Sequence, residues 1–256
     1  MKIATWNVNS VRARLPNVMD WLTANKPDIL LMQEIKCETP AFPVMEFKAA
    51  GYDVHVLGQK SYHGVAIASL HKIDSVLEHL PGGIDDTHSR YLEATVKGVR
   101  VATIYLPNGN PVDTEKYPYK LDWMKRLKQR AAELLRDEKC VVLGGDYNVI
   151  PAELDVYNPK EWLRDALYLP QSRAAFQEIV NLGYTEIFRA LHPDERAYSF
   201  WDYQAGAWQQ DKGLRIDHFL LSPEAADRTK SCFIDRVPRG KEKASDHTPV
   251  ILEIAD

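Results

Sequence analysis

The stretch VVLGGDYNVIP, residues 141–151, combines an apolar run with polar residues at its end. A short run rich in valine and leucine is typical of a strand buried on both faces. Two glycines follow, then Asp146, Tyr147 and Asn148. Glycine permits tight backbone paths and the close approach of a ligand, whereas Asp, Asn and Gly are also ordinary turn residues. The stretch alone therefore leaves open whether it ends in a turn or in a functional site.

Similar apolar runs recur along the chain and predict further strands. They read KIATW, DILLM, GVAIAS, VRVATIYL, AYSFW, RIDHFLLS and HTPVILEI. Helical patterns lie between some of them: one opened by Pro16, one from Tyr119 to Arg136, and one with Ser172 as its N-cap. The mixture predicts two β-sheets packed together with helices outside, in one domain over residues 1–256.

Composition limits the classes of protein to consider. The chain has 256 residues, 45% hydrophobic and 27% charged, which is ordinary for a globular protein. No run approaches the roughly 20 apolar residues of a membrane span, and the N-terminus lacks a signal-peptide core. Three scattered cysteines without a CxxC motif suit reduced thiols, so we expect a cytoplasmic protein without a membrane partner. The net charge of −4 disfavours binding to nucleic acid by bulk charge.

Polar residues stand at corresponding ends of the predicted strands. Most of these strands end in polar residues, whereas the last two apolar runs, RIDHFLLS and HTPVILEI, have polar residues at their beginning. Antiparallel neighbours of this kind bring their polar ends to one rim of the sheets. The residues expected at that rim are Asn7, Glu34, Tyr105, Asn108, Asp146, Asn148, Asp217, Asp246 and His247.

The residue types at this rim restrict its chemistry. Hard oxygen ligands without cysteine favour Mg²⁺ or Mn²⁺, with Glu34 as the first ligand and Asp246 and Asn7 as candidates. The alternative for Glu34 is a surface pair with Lys36. His247 pairs with Asp217 or Asp246, a choice that the sequence leaves open.

Further polar side chains at the rim suit hydrolysis of a phosphate ester. Asp146 and Asn148 are candidates to orient or deprotonate a water molecule. Tyr105 is a candidate donor to a phosphate oxygen or to the leaving group.

Seven motifs give the chain a resemblance to a known family. They are TWNVNSVRARL, PDILLMQEIK, YLPNGN, GGDYNVIPAELD, YSFWDY, GLRIDHFLLS and SDHTPV. With them the chain resembles the exonuclease III class of apurinic/apyrimidinic (AP) endonucleases, within the endonuclease/exonuclease/phosphatase superfamily. The resemblance implies a four-layer α/β sandwich, two mixed sheets face to face with helices on both outer sides. It also implies cleavage of DNA 5′ to abasic sites, 3′-end trimming and 3′→5′ exonuclease activity.

The resemblance also implies roles for individual residues. Asn7, Glu34 and Asp246 match metal-site positions, and Asp146 and Asn148 match the acid and amide that activate water. Asp217 and His247 match a paired acid and histidine. Phosphate contacts and the walls of a pocket for the abasic sugar fall at Tyr105, Asn108, Phe200, Leu214 and Ile216.

Basic residues near the rim are expected to bind phosphates of double-stranded DNA with abasic sites or with blocked or recessed 3′ ends. They are Arg90, Lys60, Lys212, Arg215, Arg239 and Lys241. The protein is expected to be a monomer.

The sequence departs from the family pattern at two places. Asp211 replaces a common asparagine near the pocket, and Glu186-Ile187 replaces a commoner pair ahead of YSFW. The first departure puts the loop geometry near the pocket in question, and the second puts the packing in question.

Two alternative functions stay open. One is a phospholipid or inositol phosphate phosphodiesterase, and the other is a catalytically weak DNA-binding module.

Overall fold

A computed structural model of the chain describes residues 1–83 and 85–256. The described residues form twelve strands in two mixed sheets of six. The strands are β1 (Lys2–Asn7), β2 (Ile29–Gln33), β3 (Asp53–Leu57), β4 (Val65–Ser69), β5 (Ile73–Glu78), β6 (Tyr91–Val96), β7 (Val99–Tyr105), β8 (Val141–Asp146), β9 (Thr185–Glu186), β10 (Asp217–Leu221), β11 (Thr229–Ile234) and β12 (Val250–Ile254). Sheet 1 has the order β11-β12-β1-β2-β4-β3, and sheet 2 has the order β5-β6-β7-β8-β10-β9.

Of the described α-helices, four cover the outer faces of the two sheets, and the last two, both short, contribute to the apolar cluster between the sheets. The α-helices are α1 (Leu15–Asn25), α2 (Val44–Ala49), α3 (Lys116–Leu135), α4 (Pro170–Val180), α5 (Ile187–Leu191) and α6 (Pro223–Ala226). One apolar cluster fills the space between the sheets, a second lies between sheet 2 and α3 and α4, and a third lies between sheet 1 and α1 and α2. The predicted four-layer α/β sandwich is therefore confirmed. None of the described helices has a long enough apolar stretch to span a membrane.

The two glycines of the opening stretch serve packing between strands. A Cβ atom on Gly144 would lie 2.5 Å from the Phe219 ring on β10, and one on Gly145 would lie 2.0 Å from the Ile104 carbonyl oxygen on β7. Such distances are far below van der Waals contact. Glycine thus lets β8 lie in the centre of sheet 2, and the interpretation of these glycines as space for a ligand is wrong.

Two local predictions are also wrong. Ser172 is not an N-cap, because α4 already begins at Pro170, whose ring fits the first turn of a helix. The Ser172 hydroxyl instead donates to the Ala166 carbonyl at 2.6 Å. AYSFW forms no regular strand, since Phe200 makes only isolated bridges to Leu214 and His247.

Candidate active site

Strand register brings the predicted acids together at one end of the sandwich. Asp146 ends β8, facing Asp217 across an antiparallel pair and Tyr105 across a parallel pair. Asn7 ends β1 in the other sheet, and its Nδ2 donates to Asp146 Oδ2 at 3.0 Å. The polar strand ends therefore share one rim, as the sequence pattern predicts.

A cavity of about 300 Å³ opens at this rim. Its lining includes Glu34, Tyr105, Asn108, Asp146, Asn148, Phe200, Leu214, Ile216, Asp246 and His247 from the sequence prediction. Asn7 and Asp217 lie behind these residues and are buried. Leu214 and Ile216 pack with Ile150, Val156, Leu167 and Tyr168, so one wall of the cavity is apolar.

His247 pairs with Asp217, which settles the choice that the sequence left open. His247 Nδ1 lies 2.8 Å from Asp217 Oδ2, and Ser199 donates to the same oxygen at 2.6 Å. Burial lowers the pKa of His247, but Asp217 and Asp146 outweigh burial and raise it to about 10. The imidazole is therefore protonated near neutral pH and acts as a hydrogen-bond donor.

Asp146 is buried and points its second oxygen at the same histidine. Its Oδ2 lies 3.7 Å from His247 Nε2, and its Oδ1 accepts from the Asn148 backbone N–H at 2.9 Å. Burial, with the negative charges of Asp217 and Glu34, raises the pKa of Asp146 to about 7, against the opposing effect of His247. A carboxylate with such a pKa can take up a proton from water near neutral pH.

Asn148 and Asn108 form a linked pair of amides. Asn108 Nδ2 donates to Asn148 Oδ1 at 3.1 Å, and Asn148 Nδ2 donates to the Leu106 carbonyl at 2.9 Å. Asn148 has φ 46°, a left-handed conformation that asparagine tolerates better than most residues. In this conformation the Asn148 side chain points toward Leu106, just after the end of β7.

Glu34 is held by contacts from two sides. Its Oε1 accepts from Asn7 Nδ2 at 2.8 Å, and its Oε2 pairs with Lys36 Nζ at 2.9 Å. The pairing with Lys36 is thus present, but Glu34 lines the cavity as well. Its backbone has φ 50°, a strained conformation of the kind that clusters at functional sites. Burial raises the pKa of Glu34, but Lys36 and Asn7 outweigh it and lower the pKa, so the group is a carboxylate.

The donor set fits a hard divalent cation. Glu34 and Asp246 both present carboxylates to the cavity, beside Asp146. Burial is the main cause of the raised pKa of Asp146, and the negative charges of Asp217 and Glu34 raise it further, so a cation here would offset unfavourable charge. Asn7 instead turns its amide nitrogen to Glu34 and Asp146, while its oxygen accepts from the Asn9 backbone. In this geometry the Asn7 amide nitrogen donates to two acids. Glu34 and Asp246 present carboxylate oxygens to the cavity, and Asn7 stays a candidate ligand through its amide oxygen.

Asp146, Asp217 and His247 also lie close enough together to suggest a metal cluster, with ligand atoms within 4.8 Å of one another. The Oδ2 of Asp217, however, already accepts from the Ser199 hydroxyl at 2.6 Å. The 2.8 Å contact between His247 and Asp217 is also hydrogen-bonding geometry. These three groups therefore form a hydrogen-bonded chain of acid, histidine and acid.

Tyr105 lines the cavity with its hydroxyl protonated. Burial and the charge of Glu34 raise its pKa well above the ordinary tyrosine value. Arg90, by contrast, does not line the cavity. Its guanidinium lies 4.7 Å above the Tyr105 ring and donates to the Tyr105 carbonyl at 3.3 Å, so it supports Tyr105 from behind.

Two of the expected phosphate-binding arginines are used inside the protein. Arg239 is buried and donates to the Trp201 carbonyl at 3.0 Å. Arg215 is 1% exposed and binds Asp155 at 2.8 Å and Glu186 at 2.9 Å. Arg215 is therefore unavailable to DNA, and Arg239 is mainly engaged with the backbone, whereas Lys60, Lys212 and Lys241 are exposed. The unusual Glu186 is explained, because it is a partner of Arg215.

Replacing Arg215 with methionine is expected to lower the free energy of unfolding by about 3 kcal/mol, because Glu186 loses its arginine partner and Asp155 keeps only Arg189, at 2.6 Å. Urea unfolding measures this, with Lys212→Met at the exposed neighbouring position as the control. A loss below about 1 kcal/mol would show that the ion-pair network contributes little to stability.

Several residues at the cavity escaped the sequence analysis. Trp162, Asn110, Asp165, Leu167 and Asp202 all lie in its lining. They come from loops, where no periodic pattern marks a side chain as inward-facing. Ser199 fixes Asp217 from the YSFW motif, but its hydroxyl gave no signal apart from the motif itself.

Comparisons with known proteins agree with this geometry. The family model described as "Endonuclease/Exonuclease/phosphatase family" matches residues 4–247. Exodeoxyribonuclease III of Haemophilus influenzae is 31% identical over 265 residues, covering 99% of each chain. An AP endonuclease structure from Archaeoglobus fulgidus is 39% identical with a TM-score of 0.97, covering 100% of both chains. The Neisseria 3′ phosphatase NExo, solved with a product DNA hairpin, is 39% identical with a TM-score of 0.98, again over 100% of both chains. The chain therefore belongs to the endonuclease/exonuclease/phosphatase family.

Proposed function

We propose that this protein is a DNA-repair phosphodiesterase that hydrolyses the DNA backbone 5′ to abasic sites and also trims 3′ ends, as an exodeoxyribonuclease III does. One observation carries the proposal most directly. Asp146, the His247–Asp217 pair and the Asn108–Asn148 pair meet at a single cavity that has an apolar wall. Relatives named exodeoxyribonuclease III, AP endonuclease and 3′ phosphatase support the substrate class.

In the proposed mechanism, Asp146 accepts a proton from the attacking water, and Asn148 holds that water in line with the phosphorus atom. Protonated His247 donates a hydrogen bond to a non-bridging phosphate oxygen, and Asp217 keeps the imidazole oriented and charged. Asn108 and the Tyr105 hydroxyl donate to the same phosphate group. As the water oxygen bonds to phosphorus, the P–O3′ bond breaks, and O3′ takes up a proton from solvent to leave as the 3′-hydroxyl. A divalent cation, Mg²⁺ or Mn²⁺, held by Glu34 and Asp246, would supply further charge stabilisation.

The apolar wall of the cavity suggests how an abasic site is selected. Phe200 stacks edge-on against His247 with ring centroids 5.0 Å apart, and Leu214 pairs with Phe200 along the backbone. Together with Ile216 they would contact a sugar that carries no base. An abasic nucleotide leaves the helix at low cost because no base pair has to be broken.

We also propose that the chain acts as a single-domain monomer in the cytoplasm. All three cysteines are free and buried, which suits a reducing compartment. The exposed lysines Lys60, Lys212 and Lys241 are the proposed contacts to the DNA backbone.

The competing substrates can be ranked in one experiment. We expect the highest kcat/KM on a duplex with one abasic analogue or with a 3′-phosphate end, and none on inositol phosphates or phospholipid vesicles. Removal of divalent cations with EDTA is expected to abolish turnover, and Mg²⁺ or Mn²⁺ should restore it. Turnover of the inositol or lipid substrates alone would instead support the phosphodiesterase alternative.

A further inference from the structure

Lys120, on the first turns of α3, is a buried cation that the proposed mechanism does not use. Its side chain has no exposed surface, and its Nζ donates to the carbonyl oxygens of Asn108 at 3.0 Å and Asn148 at 2.5 Å. Lys120 forms no salt bridge within residues 1–83 and 85–256. A buried ammonium held only by backbone carbonyls is costly, so a specific role is expected.

The surroundings of Lys120 are adapted to its side chain. Lys120 precedes Met124 by four residues, so it occupies the same buried stripe of α3, where an apolar residue would be the ordinary choice. Gly109 leaves room for it, because a Cβ atom there would lie 2.7 Å from Lys120 Cδ. Gly109 also has φ 90°, which favours glycine.

The two carbonyls that Lys120 binds belong to the residues that carry the linked amides. Asn108 follows the end of β7, and Asn148 follows the end of β8. Their side chains meet at 3.1 Å at the cavity. A single nitrogen atom therefore ties together the backbones that position both amides.

We propose that Lys120 is a positioning residue, which fixes the Asn108–Asn148 pair for contact with the phosphate and the attacking water. This inference rests on the proposed function of those two asparagines. Burial lowers the pKa of Lys120 to about 7, against the raising effect of Asp146 and Asp165. A neutral amine still has two N–H groups, so both hydrogen bonds persist in either protonation state.

A double-mutant cycle tests the proposal. Lys120→Met is expected to lower kcat by about 100-fold while KM for abasic DNA stays within about twofold, because misplaced groups impair the transition state more than substrate binding. In an Asn108→Ala/Asn148→Ala background the same substitution should lower kcat by less than about threefold, since both amides that it positions are already gone. Equal losses in both backgrounds would overturn the proposal.

Two controls separate positioning from stability. Lys125→Met changes an exposed lysine on the same helix and should leave kcat unchanged. Leu127→Ala destabilises the buried stripe of α3 further along the helix. If Leu127→Ala lowers Tm as much as Lys120→Met and also lowers kcat as much, the role of Lys120 is only structural.

A spectroscopic readout keeps this test independent of DNA cleavage. In protein labelled with ¹⁵N at asparagine, Lys120→Met should shift or broaden the side-chain amide signals of Asn108 and Asn148, but not that of Asn181, which follows α4. Unchanged signals would refute positioning by Lys120 even in an active enzyme. Shifted signals in a protein that does not cleave DNA would refute the proposed function alone.

Discussion

Replacing Asp146 with asparagine is expected to lower kcat for cleavage of abasic DNA by about 10³-fold, within the range attributed to general base catalysis. The amide keeps the shape of the carboxylate and can still accept from the Asn148 backbone N–H. It cannot take a proton from water. Single-turnover cleavage measures the loss, and a variant with more than about a tenth of wild-type kcat would exclude Asp146 as the base.

The same substitution is expected to stabilise the fold at higher pH. The pKa of Asp146 is raised from 3.8 to about 7, so its charged form is disfavoured in the folded protein. Its contribution to stability is full below pH 3.8 and is lost as pH rises through about 7. In EDTA, Asp146→Asn should therefore exceed wild-type Tm at pH 8, with a smaller difference at pH 4. A lower Tm at pH 8 would contradict this account of the site.

Replacing Asp217 with asparagine is expected to lower kcat by about 10²–10³-fold, although Asp217 does not line the cavity. Asp217 supplies the charge that keeps His247 protonated, and its Oδ2 accepts from both His247 and Ser199. An amide removes that charge. The donor to the phosphate is then lost at neutral pH, while the cavity wall stays in place.

Asp235→Asn is the matched control for Asp217. Asp235 accepts from Trp21 Nε1 at 2.8 Å, away from the cavity, and its substitution should leave kcat unchanged. The prediction for Asp217 would be contradicted if both variants retained wild-type kcat, or if both lost activity to the same degree.

The apolar runs, with polar residues at their ends, were sufficient to predict two packed sheets with helices outside and a common rim of polar strand ends. Strand direction decides which end of a strand meets the site, and residues such as Asn7, Asp146 and Asp217 stand at those ends. The pairing of His247 with Asp217 could not be chosen from the position of the residues in the chain, because Asp246 is adjacent to His247; only the family resemblance implied it. The structure decides it, since Asp217 Oδ2 lies 2.8 Å from His247 Nδ1, whereas Asp246 accepts from Asn9 Nδ2 at 3.0 Å.

Other features depend on contacts that sequence patterns do not encode. Arg215 and Arg239 were expected to bind phosphate, but long side chains can reach either solvent or a buried partner, and these two reach inward. Asp211 shows the reverse case. Its departure from the family pattern is accommodated, because its Oδ1 accepts from Trp201 Nε1 at 3.0 Å and from Arg236 at 2.7 Å.

Lys120 is the most unusual residue on the buried face of α3. The apolar residues of that face include Met124, Leu127, Ala131 and Leu134, and Lys120 stands four residues before Met124. A lysine on an apolar face indicates either an end of the stripe or a buried cation, and only the structure distinguishes them.

The most direct test of the account is cleavage of a duplex oligonucleotide with one internal abasic analogue, with Mg²⁺ and with EDTA. Both product ends are identified, and an undamaged duplex with a recessed 3′ end is measured in parallel. The account predicts a single metal-dependent incision immediately 5′ to the abasic site, leaving a 3′-hydroxyl, and its loss in Asp146→Asn. No incision of either duplex by folded, metal-loaded protein would contradict it.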